Sequence, residues 1–354
     1  MIAPAPRSAP VRCAIVIVNY NGEAFVAQAV QSALSQTVRR AALEAFPVVV
    51  VDNASTDRSL AVLRTFGEEI VLISSLENTG FSGGNNLAFA RIPGAESYAL
   101  LNPDAAADPD WLEELLACAG RHPNWGFVGA NIRDSNRPGV LDNVGLCMAL
   151  DGTVRGRGRG EPDDGRYREE RPILLASGCA MLLSGAALSA AGGFDESFFC
   201  YCDDVELCLR LNLLGYSGWF APAARSSHRF SASVGHTFSA FKAYHVERNR
   251  YWVVAKCFPW PAIPVALAAS AVRYLWSALA VSGNHGPGAR AVASTGLYPV
   301  VSAVARAHRD AILGLPEVLR HRRVERSRRS LGMAEFLARW RRDYLPMRTA
   351  VHLE

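Results

Sequence analysis

The chain has 354 residues, half of them apolar and a fifth charged, with a formal net charge of +4. This composition excludes a disordered, collagenous or low-complexity chain, and at about 150 residues per domain the length suggests two units. The eight cysteines are scattered and form no CxxC, which argues against a zinc ribbon or a disulfide framework and for a reducing compartment.

Residues 1–12 are rich in Pro and Ala and read as a loose tail. The apolar run Cys13–Val18 is too short for a signal-peptide core or a membrane span. Cys13–Asn19 and Phe46–Asp52 read as buried strands, and Ile70–Ser74 and Tyr98–Asn102 as a third and a fourth strand. Helical spacing falls between them, at Glu23–Gln36, Thr56–Phe66 and Gly84–Arg91. Strands alternating with helices imply right-handed βαβ units and a mostly parallel sheet, an α/β fold.

A helix is predicted over Pro109–Gly120, with Asp108 as its N-cap. Gly126–Ile132 reads as a strand, and Val140–Val154 as a hairpin turning at Asp151-Gly152. Arg155–Arg171 reads as a mobile loop. Ile173–Leu183 reads as one strand, Asp203–Leu214 as a helix and Gly218–Ala221 as a short strand. Beyond about residue 240 basic, apolar helical segments dominate. The charge divides at the same place. Residues 1–240 hold 19 basic and 26 acidic side chains; residues 241–354 hold 18 basic and 7 acidic. The expected organisation is a tail (1–10), an α/β domain (11–240) and a helical region (241–354).

In an open parallel sheet, ligands bind at the carboxyl ends of the strands. The polar clusters fall there: Asn19-Tyr20-Asn21-Gly22, Asp52 to Asp57, Glu77 to Asn86, and Asn102-Pro103-Asp104. Each alone is ordinary turn or cap chemistry; four on one edge point to a site. Neither GxGxxG nor a P-loop is present. Downstream, an aromatic segment from Phe194 runs into a helix opened by Asp203, Asp204 and Glu206. Acids there suit the helix dipole, or supply a general base at a pocket mouth.

These motifs (VNYNG, VDNASTD, ENTGFSGGNN, LNPD, SGCAMLL, GGFDESFFCYCDDVELCLR and then His228) occur in order over about residues 11–240. As a set the chain resembles inverting family 2 glycosyltransferases of the GT-A fold, and within them the bacterial rhamnosyltransferase-like branch. The resemblance implies a Rossmann-like sheet with helices on both faces. It places Asn19, Tyr20 and Asp52 at the nucleotide base, with Asn53 as a second choice, and gives Asp57 to a helix cap. Asn78, Gly80, Gly83, Gly84 and Asn85 would line the donor, with Gly178 beneath the sugar or acceptor. Asp104 would hold a divalent metal, Mg²⁺ or Mn²⁺, on the donor diphosphate, and His228 would meet that metal or the diphosphate. Asn102 stands where a simpler Asp-x-Asp signature has an acid. Asp204 is the expected base, with Asp203 as runner-up; Glu206 is expected to support, paired with Arg210. Trp219, Phe198, Phe199 and Tyr201 are candidates either for sugar stacking or for the core.

Val265–Val281 is apolar on most faces, but its 17 residues make a helix of about 25 Å against a hydrocarbon core of about 30 Å. Arg273 lies mid-segment, which disfavours a full span. With the arginine-rich run 320–329, this reads as peripheral contact with an anionic membrane. No nucleic-acid motif accompanies the charge. The implied activity moves a sugar from a dTDP- or UDP-linked donor to a lipid-linked or polysaccharide acceptor at the cytoplasmic membrane face. L-Rhamnose is the first donor sugar, and galactofuranose or another hexose the alternatives. A non-catalytic binding protein of the same fold is the competing reading.

Overall fold

The computed structural model of the protein describes residues 11–40, 42–229, 239–283 and 286–352. The expected tail, residues 1–10, lies outside them. Four strands open the fold: β1 (Cys13–Asn19), β2 (Val48–Asp52), β3 (Val71–Ser74) and β4 (Ser97–Leu101). They lie in the order β4-β1-β2-β3, all parallel. The intervening helices are α1 (Val26–Leu34), α2 (Ser59–Arg64) and α3 (Gly80–Arg91). Successive strand side chains point to opposite faces. Ile15, Ile17, Val48, Val50 and Leu101 therefore pack with Val26, Val30 and Leu115 on one face. Val16, Val49, Val51 and Leu100 enter a second core on the other.

α3 starts four residues earlier than its composition suggests. Gly80 has a φ of +72°, and a Cβ there would sit 2.1 Å from the Phe199 carbonyl oxygen. At Gly84 a Cβ would stand 2.5 Å from Val18 of β1. Glycine is a poor helix former, but here close approach to β1 and to the 199 loop demands it.

Past β4 the sheet becomes mixed. Its remaining strands are β5 (Ala105–Ala107), β6 (Trp125–Asp134), β7 (Leu141–Asn143), β10 (Arg171–Ile173), β11 (Ala180–Ser184) and β12 (Ser217–His228), while β8 (Leu146–Met148) and β9 (Val154–Gly156) pair in a separate two-stranded sheet. β11 runs antiparallel between β4 and β6, and β12 lies parallel to β6. β8 and β9 form the hairpin around Asp151-Gly152, while Leu141–Asn143 joins β6 instead. The predicted single strand Ile173–Leu183 is interrupted: the Leu174 N–H turns to the Asp343 carboxylate at 2.8 Å, and pairing resumes at Ala180. The gap carries Ser177-Gly178 to the carboxyl end of β4, where Asn102 N–H bonds the Cys179 carbonyl at 2.8 Å. β12 extends well beyond Ala221, which sets His228 opposite Ala105 and Asp134. The loop between β9 and β10 is tied to β7 by Leu141 N–H to Glu161 O and Gly160 N–H to Leu141 O, both 2.9 Å.

α4 (Trp111–Arg121) begins two residues later than predicted. Asp108 does not cap it, because its carboxylate pairs with Arg133 at 2.5 Å. α5 (Gly185–Ala191) and α6 (Asp203–Leu213) complete this part.

The C-terminal helices are α7 (Ala240–Cys257), α8 (Ala262–Ser282), α9 (Gly286–Thr295), α10 (Leu297–Arg326), α11 (Met333–Arg342) and α12 (Met347–His352). Trp252, Phe258, Phe336 and Trp340 share the second core with Leu207, Leu211 and Met181. A buried ion cluster fastens α6 to α7 and α10. Lys256 meets Asp195 at 2.6 Å, Glu206 at 2.8 Å and Glu325 at 3.2 Å, and Glu206 also pairs with Arg210 at 2.7 Å. The basic run 320–329 is divided: Arg320, Arg323, Arg326 and Arg328 are exposed, and Arg322 and Arg329 turn inward. Arg322 is buried and donates to Ala255 O at 2.7 Å, and Arg329 donates to Lys256 O at 2.8 Å. Both satisfy carbonyls at the end of α7, where the helix dipole favours cations.

Candidate active site

At the carboxyl edge of the sheet, Asn19 and Asp52 stand in register on β1 and β2. Asn19 Nδ2 donates to Asp52 Oδ1 and to Ser55 Oγ, both at 3.1 Å. Both residues are buried, and Tyr20 beside them is exposed. Asp57 accepts the Ser59 N–H at 2.9 Å at the start of α2, the expected cap, and also the Glu23 N–H at 3.0 Å. Asn53 stitches the next loop. Its Nδ2 donates to Asn78 Oδ1 (3.1 Å) and Gly80 O (2.9 Å), and its Oδ1 accepts Thr79 N–H (3.0 Å). Asn78 Oδ1 accepts the Gly80 N–H at 2.9 Å. Gly83 abuts Thr79. Asn85 is buried, and its amide bonds Phe81 O at 2.8 Å within α3. Of the residues expected to line the donor, Asn19, Tyr20 and Asp52 thus stand at the sheet edge, while Asn53, Asn78, Gly83, Gly84 and Asn85 build the scaffold behind it.

A second group assembles one strand along. His228 Nε2 lies 3.4 Å from Asp104 Oδ1, and its Nδ1 lies 2.9 Å from Asp142 Oδ2. Burial opposes charge on Asp142, but contacts with His228 and Arg159 hold its carboxyl below the ordinary range. Burial opposes charge on His228, but Cys179, Asp104 and Asp142 raise its pKa well above the ordinary histidine value, so Nδ1–H donates to Asp142 and Nε2 carries a proton toward Asp104 that a cation bound between them would displace. An oxygen and a nitrogen 3.4 Å apart suit two ligands of one cation. Asp142 gave no sequence signal; it is an acid inside a three-residue strand, 86 positions from its partner.

The third group carries the acids. Asp203 is buried; its Oδ2 accepts the Ser82 hydroxyl at 2.9 Å. Asp204 is part-exposed, and its Oδ2 accepts the Gly178 N–H at 2.8 Å. A Cβ at Gly178 would meet the Phe81 ring at 2.9 Å and Asp204 Cβ at 3.3 Å, so the absent side chain is what admits this contact. Burial pushes both carboxyls up, and the Asp204 charge pushes Asp203 further. That tuning suits a general base working near neutral pH. Burial also pushes the Tyr201 phenol up to about 12, with Cys200, Asp104 and Asp203 adding to it. Tyr201 thus lies within the field of both Asp104 and Asp203. Glu206 is fully buried in its pair with Arg210, the supporting role expected of it. Phe198 is core, and Trp219 stacks on His122.

The segment before these acids is contorted. Phe199, Tyr201 and Cys202 have φ of 66°, 65° and 61°, left-handed values rare for such side chains. Asn249 of α7 holds them. It is fully buried, and its Nδ2 lies 2.9, 2.9 and 2.7 Å from the carbonyls of Phe198, Cys200 and Tyr201. Arg248 reaches Phe198 O at 3.0 Å, and Ser82 N–H bonds Phe199 O at 3.2 Å from the other side. The one sequence hint was a poor helix former in a helix interior.

A mixed sheet with its site at the carboxyl edge, acids at a helix start and an Asp–His pair beside them define a glycosyltransferase of the GT-A fold. Residues 14–165 match the model of glycosyl transferase family 2, and this domain belongs to that family. An N-acetylglucosaminyl-diphospho-decaprenol L-rhamnosyltransferase of Mycobacterium tuberculosis is 26% identical over 238 residues, 62% of this chain and 78% of that protein. The mannosyltransferase PcManGT of Pyrobaculum calidifontis, solved with GDP-Man and Mn²⁺, aligns with a TM-score of 0.52 at 17% identity, over 89% of each chain. GalNAc-T7, solved with UDP, GalNAc and Mn²⁺, aligns with a TM-score of 0.54 at 13% identity, over 70% of this chain; the chain spans about half of it (48%). These structural likenesses speak to the fold.

Proposed function

We propose that the protein is an inverting hexosyltransferase. It takes L-rhamnose or a related hexose from a dTDP- or UDP-linked donor and places it on a lipid-linked or polysaccharide acceptor in cell-envelope glycan synthesis. The observation that carries this is Asp204, a part-exposed carboxylate pushed up by burial and fixed by the Gly178 N–H at the start of α6, in a chain that also pairs Asp104 with His228. Asp204 takes the proton of the acceptor hydroxyl as that oxygen attacks the anomeric carbon. The nucleoside diphosphate leaves from the opposite face, which inverts the centre. Asp203, held by Ser82, is pushed up further by the Asp204 charge and so keeps its own proton to higher pH than an ordinary carboxyl. Asp52 accepts from the base imide N–H, with Asn19 fixing its orientation. Asp104 and His228 would hold a divalent cation, and the mixed oxygen–nitrogen pair fits Mn²⁺ better than Mg²⁺. When bound, that cation supplies charge neutralisation for the departing diphosphate.

The work is placed at the inner face of the cytoplasmic membrane. α8 is the helix, among the described residues, long and apolar enough to cross a bilayer. However, Arg273 pairs with Asp151 at 2.7 Å and with Glu247 at 2.8 Å, which docks one side of α8 on the protein. Val265, Leu267, Val272, Leu275 and Leu279 remain exposed on its other side. That arrangement favours an interfacial helix over a span. Calorimetry with dTDP-, UDP- and GDP-sugars, with and without Mn²⁺, tests the donor, and NMR of the product anomer tests inversion. Binding of one dTDP- or UDP-sugar that needs Asp104, followed by an inverted product, supports the reading. A retained anomeric configuration, or transfer undiminished in Asp204→Asn, overturns it.

A further inference from the structure

Away from that edge, three metal-ligating side chains converge where the reaction has no use for them. Cys118 faces inward from α4, and His122 follows four residues on, at the helix end. Glu170 comes from the chain between β9 and β10. One ligand atom from each lies within 4.8 Å of the other two. His122 Nε2 is already in hydrogen-bond contact with Glu170 Oε1. The imidazole is held in plane by parallel stacking on Trp219, with centroids 3.3 Å apart and planes 2° from parallel. Trp219 is in turn fixed through its Nε1–H to Ser217 Oγ at 3.0 Å. Arg121 pairs with the other carboxylate oxygen of Glu170 through its Nη2, while its Nε lies 3.4 Å from Oε1, a longer contact than that of His122. Cys118 is fully buried.

We propose that Cys118, His122 and Glu170 form a structural site for a thiophilic divalent cation, Zn²⁺ by its chemistry, that clamps the loop between β9 and β10 onto α4. Sulfur, imidazole nitrogen and one carboxylate oxygen are the donor set Zn²⁺ takes, and the thiolate disfavours Mg²⁺, Mn²⁺ and Ca²⁺. Two anionic ligands balance the ion's charge, and water completes four-coordination. Burial, with the nearby Glu170 adding to it, pushes the Cys118 thiol up to about 12, so the metal-free site holds a thiol. Loading therefore releases that proton to solvent as the S–metal bond forms. This site is separate from the Asp104–His228 pair in both ligands and metal preference.

The test uses the full chain, stripped with chelator and titrated with Co²⁺ as a spectroscopic stand-in, then with Zn²⁺ in competition. The expected result is one equivalent of Co²⁺ giving a thiolate charge-transfer band, displaced by Zn²⁺, with a higher Tm in Zn²⁺. Band and Tm gain should vanish in Cys118→Ser and survive in Cys179→Ser, the control for the thiol near His228. Should Cys118→Ser not fold, Glu170→Gln at the part-exposed ligand gives the second reading, as weakened Co²⁺ binding. Absence of the band in the wild type, a band surviving Cys118→Ser, or undiminished binding in Glu170→Gln would overturn the proposal and leave a hydrogen-bonded clamp.

Discussion

Replacing Asn249 by Ala tests whether the contorted 199–202 segment is what aims the catalytic acids. Its amide carries two protons for three buried carbonyls at 2.7–2.9 Å. Leaving at least two acceptors unmade costs about 2–6 kcal/mol, at about 1–3 kcal/mol each. The same segment stores about 1–3 kcal/mol at each of its left-handed residues, Phe199, Tyr201 and Cys202. Without Asn249 the restraint no longer exceeds the strain, and the segment relaxes, carrying Asp203 and Asp204 with it. Nothing in the Asn19–Asp52 pair depends on Asn249. The expected outcome is therefore a folded variant that binds the nucleotide-sugar with near-normal affinity while kcat falls about 100-fold, for a loss near 3 kcal/mol. Calorimetry for the donor and initial-rate kinetics with saturating donor separate the two effects. A folded variant whose kcat stays within about threefold of wild type, a change under 1 kcal/mol, refutes the reasoning. A fall in donor affinity with kcat intact would place Asn249 in binding instead.

Asp204→Asn should abolish transfer while leaving donor binding measurable by calorimetry. Both acids are pushed up by burial, so the acidic limb of kcat/KM against pH should lie above the ordinary carboxylate value of 3.8. The same shift sets a stability trend. Because the folded state holds its carboxyl protons more tightly than the unfolded chain, Tm should fall as pH rises above 3.8 through the raised values, and more gently in Asp203→Asn. Lys256→Met leaves Asp195, Glu206 and Glu325 facing one another without their shared cation. A loss of about 3–5 kcal/mol in denaturant unfolding is expected, as for a broken buried ion pair.

The strands that build the ligand edge were legible because Cys13–Asn19 and Val48–Asp52 are covered on both faces and end in polar residues at the site. Asp203 and Asp204 stood out because two acids opening a helix beside an aromatic segment are unusual. The start of α3 was hidden, since three glycines signal a loop locally and only tertiary contact with Val18 and Phe199 turns them into helix. Asp142 and Asn249 were hidden for another reason. Each acts on residues tens of positions away in the chain, and neither breaks a local pattern strongly enough to announce it. The inward turn of Arg322 and Arg329 was hidden because sequence shows charge, not the direction in which carbonyls of a neighbouring helix wait for it.

The same arginines change what a count of charges means for this chain. Arg322 and Arg329 complete the end of α7, Arg250 and Arg273 answer Asp151 and Glu247, and Lys256 sits among carboxylates. Part of the basic charge is therefore hidden while the chain is folded and is displayed when the C-terminal helices come loose. A polyanion such as heparin distinguishes the two conditions: retention on a heparin column should rise as those helices detach on mild heating. Equal retention before and after would show that the outward arginines alone set the affinity. Such chromatography reports the integrity of the helical region without any sugar donor in hand.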